Sequence, residues 1–147
     1  MTEKEIWDLY TQNNHVKNKT YDAWCFGGDT LIANELAKLV VDGIKTATAS
    51  AYKLYELDNS LLPPIGGLNI ILDSDSNAVC ITETTKVYTC PFWKVSESHA
   101  FKEGEGDRSI AYWRKVHKDF FSNEFKAYDL NFDENMMVVC EEFEVVW

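Results

Sequence analysis

Lys45 and Thr48 stand three residues apart in the stretch GIKTATAS, Gly43 to Ser50, where a single cation sits among small and hydroxyl-bearing side chains. A lysine desolvated in a pocket loses part of its preference for the charged form and can take a proton from a hydroxyl, which would make Thr48 a nucleophile. Residues three apart in a regular strand point to opposite faces, so the two meet only if the chain bends on leaving the preceding helix at Gly43. The plain alternative is a helix-end lysine favoured by the dipole, followed by a strand threonine.

A second group is EGEGD, in which Glu103, Glu105 and Asp107 alternate with glycines. Carboxylates this close raise one another's pKa, as a general acid requires, and the glycines let backbone approach a ligand. The stretch lacks the D-x-D-x-D-G spacing and distant glutamate of an EF-hand, so no metal is expected there. As a solvated turn it would leave Asp107 to cap the helix that follows. His117 shares a face with Trp113 and Phe120, where a lone histidine reads as a hydrogen-bonded core residue; His99 precedes the acidic loop. Glu83, in ITETT, is either an outward strand residue or a pocket carboxylate, and the apolar Ile81 on the same face does not decide between them. Trp24 and Phe26, with Phe92 and Trp93, can stack a base or fill core.

The elements that must position these groups follow from periodicity. A short helix over 3–14 and the polar, basic loop HVKNK make an N-terminal extension of about twenty residues. Asp29 caps TLIANELAKLVVDG, with Ile32, Leu36, Leu39 and Val40 on one face and Gly43 at its C-terminal end. KTATASAYKLYEL starts as a strand and turns helical over 52–57, and LLPPIGG forces a turn. LNIILD and AVCITETTKVYTC, separated by SDSN and ended by Pro91, are antiparallel neighbours. A helical turn over 96–102 leads to the acidic loop. Asp107 then caps RSIAYWRKVHKDFFS, where Ile110, Trp113, His117, Phe120 and Phe121 share a face. NEFKAYDLNFDEN is read as loop and MMVVCEEFEVVW as an interior strand. The short link between the middle strands excludes a fully parallel sheet. The expected fold class is α+β, a mostly antiparallel β-barrel with flanking helices outside it and across one mouth, as one domain over 1–147.

Twenty-four acidic against fourteen basic residues give a net charge of −10, which disfavours duplex DNA and leaves a small nucleoside or a local single strand as partner. Four cysteines without a C-x-x-C pair predict reduced, buried thiols and no structural zinc. A charged N-terminus and the lack of an apolar run of about twenty residues predict a soluble, cytoplasmic protein with no membrane partner.

Taken together, G-x-K-x-x-T (Gly43, Lys45, Thr48), P-P-x-G, H-A-x-x-E-G-E-G-D (His99 to Asp107), Y-W-R-x-x-H-x-x-F-F (Tyr112 to Phe121) and C-E-x-F (Cys140 to Phe143) resemble the ASCH domain family, and its larger bacterial members in particular. The resemblance runs from about Tyr21 to Trp147. It implies a PUA-like pseudo-barrel with a cleft whose floor carries the G-x-K motif, RNA-related roles, and no cofactor. Short members include an acetylcytidine amidohydrolase with a lysine, threonine and glutamate in matching positions. The resemblance thus implies Lys45 as base, Thr48 as nucleophile attacking an amide carbonyl, and Glu103 holding the lysine or passing a proton to the leaving amine. Trp24, Phe26, Glu83, Glu105, Asp107 and Arg114 are the expected substrate-binding residues, with Glu105 and Asp107 as departures that either narrow the pocket or change the substrate. Other members resemble single-strand RNA nucleases, for which a positive path would run through Lys45, Lys53 and Arg114. A third expectation is a non-catalytic RNA- or nucleotide-binding module.

Overall fold

Thr2 opens the first helix, α1 (Glu3–Asn13), through a capping box with Glu5, so two otherwise orphaned backbone donors are satisfied. Its Ile6 and Tyr10, one turn apart, pack on Leu68, Ile70 and Ile81. The computed structural model describes residues 1–16 and 20–147, and the last three residues of the basic loop HVKNK lie outside them. Asp29 caps α2 (Thr30–Val41) by accepting the Ile32 N–H. This helix buries Ala33, Ala37 and Val40 rather than the larger Ile32 and Leu36. Small side chains bring it close to Ile71 and Phe143, and the displaced Ile32 and Leu36 line a cleft.

The strands are β1 (Asp22–Cys25), β2 (Ala47–Ala51), β3 (Leu68–Leu72), β4 (Ala78–Pro91) and β5 (Met137–Val145). They form one sheet in the order β1-β3-β4-β5-β2. All pairs are antiparallel except β1 with β3, and the fold is the α+β, PUA-like class anticipated. The sheet curls as a half-barrel; β1 and β2 stay as its edges and both line one cleft. Register shifts at Ile71/Leu72 and Thr84/Lys86 add the local bend that curling requires.

Three elements differ from expectation. The aromatic run after Tyr21 is strand β1, whose parallel pairing with β3 gives no local signature. The long helix α5 (Ile110–Lys126) takes in NEFK, because Phe125 extends the stripe of Trp113 and Phe121 into the core. Its cap is Ser109, which accepts the Tyr112 N–H, while Asp107 accepts the Ser109 N–H at 2.9 Å. The remaining α-helices among the described residues are α3 (Tyr52–Leu57) and α4 (Glu97–Glu103), and a 3-10 turn spans Phe92–Lys94. All four thiols are free, and Cys25 is exposed rather than buried. Among the described residues no helix is long and apolar enough to cross a membrane.

Candidate functional site

Lys45 lies in the link between α2 and β2, outside the strand's alternation. Gly43 has φ +75°, the left-handed conformation that ends a helix. Behind it the Ile44 and Lys45 N–H groups both donate to the Leu39 carbonyl. Thr46 N–H donates to the Lys102 carbonyl at 2.7 Å, and its own carbonyl accepts Phe143 N–H at 3.0 Å. The link is therefore pinned between α4 and β5. Gly104 has φ +72°, and a Cβ there would lie 2.6 Å from the Ile44 carbonyl oxygen. Only glycine permits that approach, which sets Glu103 against Lys45.

Lys45 is 1% exposed. Its ammonium donates to the Glu103 carbonyl and Oε1, both at 3.3 Å, and to Glu105 Oε2 at 2.9 Å. It also lies 5.3 Å from the centre of the Phe26 ring, a favourable cation–π distance. Glu103 is equally buried and collects further donors. Its Oε2 accepts from His99 Nε2 at 2.6 Å and from the Trp113 indole, and its Oε1 is 3.3 Å from His117 Nε2. Burial by itself would raise the Glu103 carboxyl, but Lys45, His117 and the hydrogen bonds hold it well below the usual range.

His117 stacks on Trp113 with ring centres 4.1 Å apart, and its Nδ1 donates to the Trp113 carbonyl at 2.9 Å. A neutral ring would thus aim the Nε2 lone pair at a carboxylate. Burial favours the neutral ring, yet Glu103, Glu105 and the Trp113 carbonyl outweigh it and shift His117 upward. With His117 protonated, two cations meet two carboxylates. His99 Nδ1 is buried without a partner among the described residues. Glu103, Glu105 and His117 place ligand atoms within 4.8 Å of one another, but the Lys45 ammonium already occupies the cation position between the carboxylates.

Lys45, Thr48, Glu103 and Glu105 line one cleft of about 930 Å³ together with Trp24 and Phe26. That size suits a nucleoside-scale ligand. The bend after Gly43 brings Lys45 and Thr48 to the same space. The bonds from Lys45 go to Glu103 and Glu105, however, and among the described residues the Thr48 hydroxyl makes none.

Three expected binding residues lie elsewhere. Glu83 is on the opposite face of β4 from Thr84, near Tyr10, whose phenol is raised by burial with the Glu83 charge adding to the shift. Asp107 is exposed and spent on the turn before α5. Arg114 is exposed, donating to the Trp93 carbonyl at 3.2 Å, because one residue past the buried Trp113 the helix has turned about 100°. Lys53, on α3, is exposed and paired with Glu56 at 3.3 Å. Lys45, Lys53 and Arg114 therefore form no continuous positive path. Phe92 is core, and Trp93 is half exposed away from the cleft.

Asn69, Thr84 and Glu141 are among the cleft residues not anticipated as site groups, and His117, read from the sequence as a core residue, lines it too. Trp24 Nε1 donates to Asn69 Oδ1 at 3.1 Å, Asn69 Nδ2 to Thr84 Oγ1 at 3.3 Å, and Thr84 Oγ1 to Glu141 Oε2 at 2.6 Å. The available signals were a lone Asn in the apolar strand LNIIL and a Glu directly after buried Cys140.

The curled, mostly antiparallel half-barrel with its flanking helices is a PUA-like α+β fold, and its cleft carries the buried Lys45–Glu103 pair. The chain belongs to the ASCH domain family, whose model matches residues 22–147. It is similar to an ASCH domain from Lactobacillus crispatus JV V101, with 34% identity, a TM-score of 0.89, and coverage of 97% of this chain and 90% of that one. It is also similar to protein EF3133 from Enterococcus faecalis V583, with 38% identity, a TM-score of 0.91, and coverage of 97% and 86%. The hypothetical protein PH0355 shares the fold at 19% identity and a TM-score of 0.52, over 76% of this chain and 92% of that one. No curated protein matches the chain.

Proposed function

We propose that this ASCH domain is a hydrolase that removes an acyl group from the exocyclic nitrogen of a nucleoside such as acetylcytidine. The observation that carries this reading is the presence of Lys45, Thr48 and Glu103 in one aromatic-walled cleft. Thr48 Oγ attacks the acyl carbon and gives its proton to Lys45. The C–N bond breaks as the departing nitrogen takes a proton from an acid in the cleft. Water then cleaves the threonine ester, giving that proton back and returning the one on Lys45 to Thr48 Oγ. Lys45 can accept the Thr48 proton only after passing one of its own to Glu105, the partner that reaches the open cleft with 16% of its side chain exposed. A neutral ligand closing over Glu105 favours this transfer, since excluding water disfavours both charged forms. Glu103, saturated by four donor groups, holds Lys45 in place. The ASCH family is proposed to bind RNA. A single nucleoside fits this chain better than a strand, because Lys53 and Arg114 do not line the cleft.

The test is release of cytidine and acetate from acetylcytidine. Turnover should disappear in Lys45→Ala and Thr48→Ala, and Thr48→Ala should keep the wild-type stability within about 0.5 kcal/mol because its hydroxyl bonds to none of the described residues. Acetylcytidine left intact by the wild-type protein rejects the hydrolase reading. A second reading, a non-catalytic nucleoside-binding module, draws on the engagement of Lys45 by Glu103 and Glu105. It requires a nucleoside-dependent rise in melting temperature without product.

A further inference from the structure

On the cleft floor, Trp24, Asn69, Thr84 and Glu141 come from four different strands and form a hydrogen-bond chain whose polarity is fixed. An indole nitrogen only donates, so Trp24 sets the Asn69 amide with its oxygen toward the indole and its nitrogen toward Thr84. The Thr84 hydroxyl, receiving from Asn69, sends its own proton to Glu141 Oε2. Glu141 Oε1 takes no bond among the described residues. Glu141 is 7% exposed and lines the cleft, so a side chain more than nine-tenths buried keeps one oxygen unused beside a ligand-sized space.

The register supplies the target. Thr48 and Glu141 are direct partners across β2 and β5, so their side chains stand on one face with Cβ atoms about 5 Å apart. An acyl carbon attacked by Thr48 Oγ has its amide nitrogen one bond away, within reach of the carboxyl next door. Resting on the hydrolase reading above, we propose that Glu141 is a further catalytic residue, the general acid that protonates the departing nitrogen and then the general base that activates water.

The protons balance. In acylation the Thr48 proton goes to neutral Lys45, the Oγ–C bond forms, the C–N bond breaks, and the Glu141 proton goes to the leaving nitrogen. In deacylation Glu141 takes a proton from water, hydroxide attacks the ester carbonyl, and Thr48 Oγ leaves with the proton held on Lys45. Both residues return to their starting states and the acyl group leaves as a carboxylic acid. Burial raises the Glu141 carboxyl, with Asp22 adding to the shift and the Thr84 bond opposing it, so the site favours the protonated form that a general acid needs. Because Thr84 donates to Oε2, the proton belongs on Oε1. The titratable groups facing Glu141 are Asp22 from β1 and Tyr55 from α3, and Glu124 from α5 lies by Tyr55 on the same cleft. Burial raises Glu124 as well. This arrangement moves the leaving-group proton from Glu103, whose oxygens are saturated, to a carboxyl with a free one.

The experiment compares two substrates whose leaving groups differ in need of a proton. Acetylcytidine leaves through a poorly stabilised nitrogen anion, whereas p-nitrophenyl acetate leaves as a stable phenolate. E141Q keeps the shape and can still accept from Thr84, but has no proton to give. It is expected to lower acetylcytidine turnover by about 10²- to 10⁴-fold. The p-nitrophenolate burst should stay within about tenfold of wild type, and acetyl-enzyme on Thr48 should accumulate by mass spectrometry because water is no longer activated. In the wild-type protein, acetylcytidine kcat/KM should fall as pH rises through the Glu141 pKa, a limb that the burst on the ester lacks. Equal losses on both substrates, or no loss on acetylcytidine, overturn the role of Glu141 while leaving a hydrolase. A wild-type protein that cleaves neither substrate overturns the hydrolase reading and this assignment together.

Discussion

Glu103 and Glu141 lie in the same cleft, both shielded from water, yet their surroundings push them in opposite directions. Glu103 at the C-terminal end of α4 is met by an ammonium, two imidazoles and an indole, and these hold it as a carboxylate. Glu141 on β5 has one hydroxyl donor, and its carboxyl is raised. Burial acts on both with the same sign, so the number and charge of the donors decide. One carboxyl is committed to holding Lys45. The other keeps an oxygen free to exchange a proton with a ligand.

The comparison can be broken most severely at the saturated end. Glu103→Ala leaves the Lys45 ammonium and the Trp113 indole without the carboxylate, and a loss of about 3–5 kcal/mol in urea unfolding is expected. A loss below about 1 kcal/mol would mean that the cluster is solvated and that Glu103 anchors nothing.

A smaller loss is expected at Gly104. Gly104→Ala adds a Cβ 2.6 Å from the Ile44 carbonyl oxygen at φ +72°. A destabilisation of about 1–3 kcal/mol should follow, with α4 shifting away from the Lys45 link. Measured by thermal unfolding, an unchanged midpoint would show that this close approach does not hold the pair together.

The finest test uses pH. Glu103 has a folded pKa below its ordinary 4.5, so its contribution is present above 4.5 and lost as pH falls through the folded value. Glu141 has a folded pKa above 4.5, so its contribution is present below 4.5 and lost as pH rises through the folded value. The deficit of Glu103→Gln relative to wild type should therefore shrink as pH falls below 4.5 and stay level above it. Glu141→Gln should instead gain on wild type as pH rises above 4.5. Parallel curves for the two variants would remove the distinction between the carboxyls.

Local signals in the sequence carried much of this architecture. Asp29 and Gly43 bracket α2 because cap and helix-end geometries depend on neighbouring residues alone. The β-rich composition of LNIILD and AVCITETTKVYTC, with the short polar loop SDSN between them, marked two paired strands for the same reason. The resemblance carried by GIKTAT and HAFKEGEGD linked Lys45, Thr48 and Glu103, and all three line one cleft. Strand β1 escaped notice because a four-residue parallel strand is defined by its partner β3.

The rest of the site was decided by tertiary structure. Glu83 and Thr84 are neighbours in sequence, and only packing of one sheet face on α1 tells which of them meets the cleft. Arg114 and Asp107 looked like ligand groups by charge, but helix phase and a local turn carry them to the surface. Glu141 read as one acidic residue in an apolar strand. Its place beside Thr48 comes from the β2–β5 register, and its single donor comes from a hydrogen-bond chain across four strands. Residue type fixes which groups can exchange a proton. The protonation state each holds depends on neighbours that sequence separation hides and folding supplies.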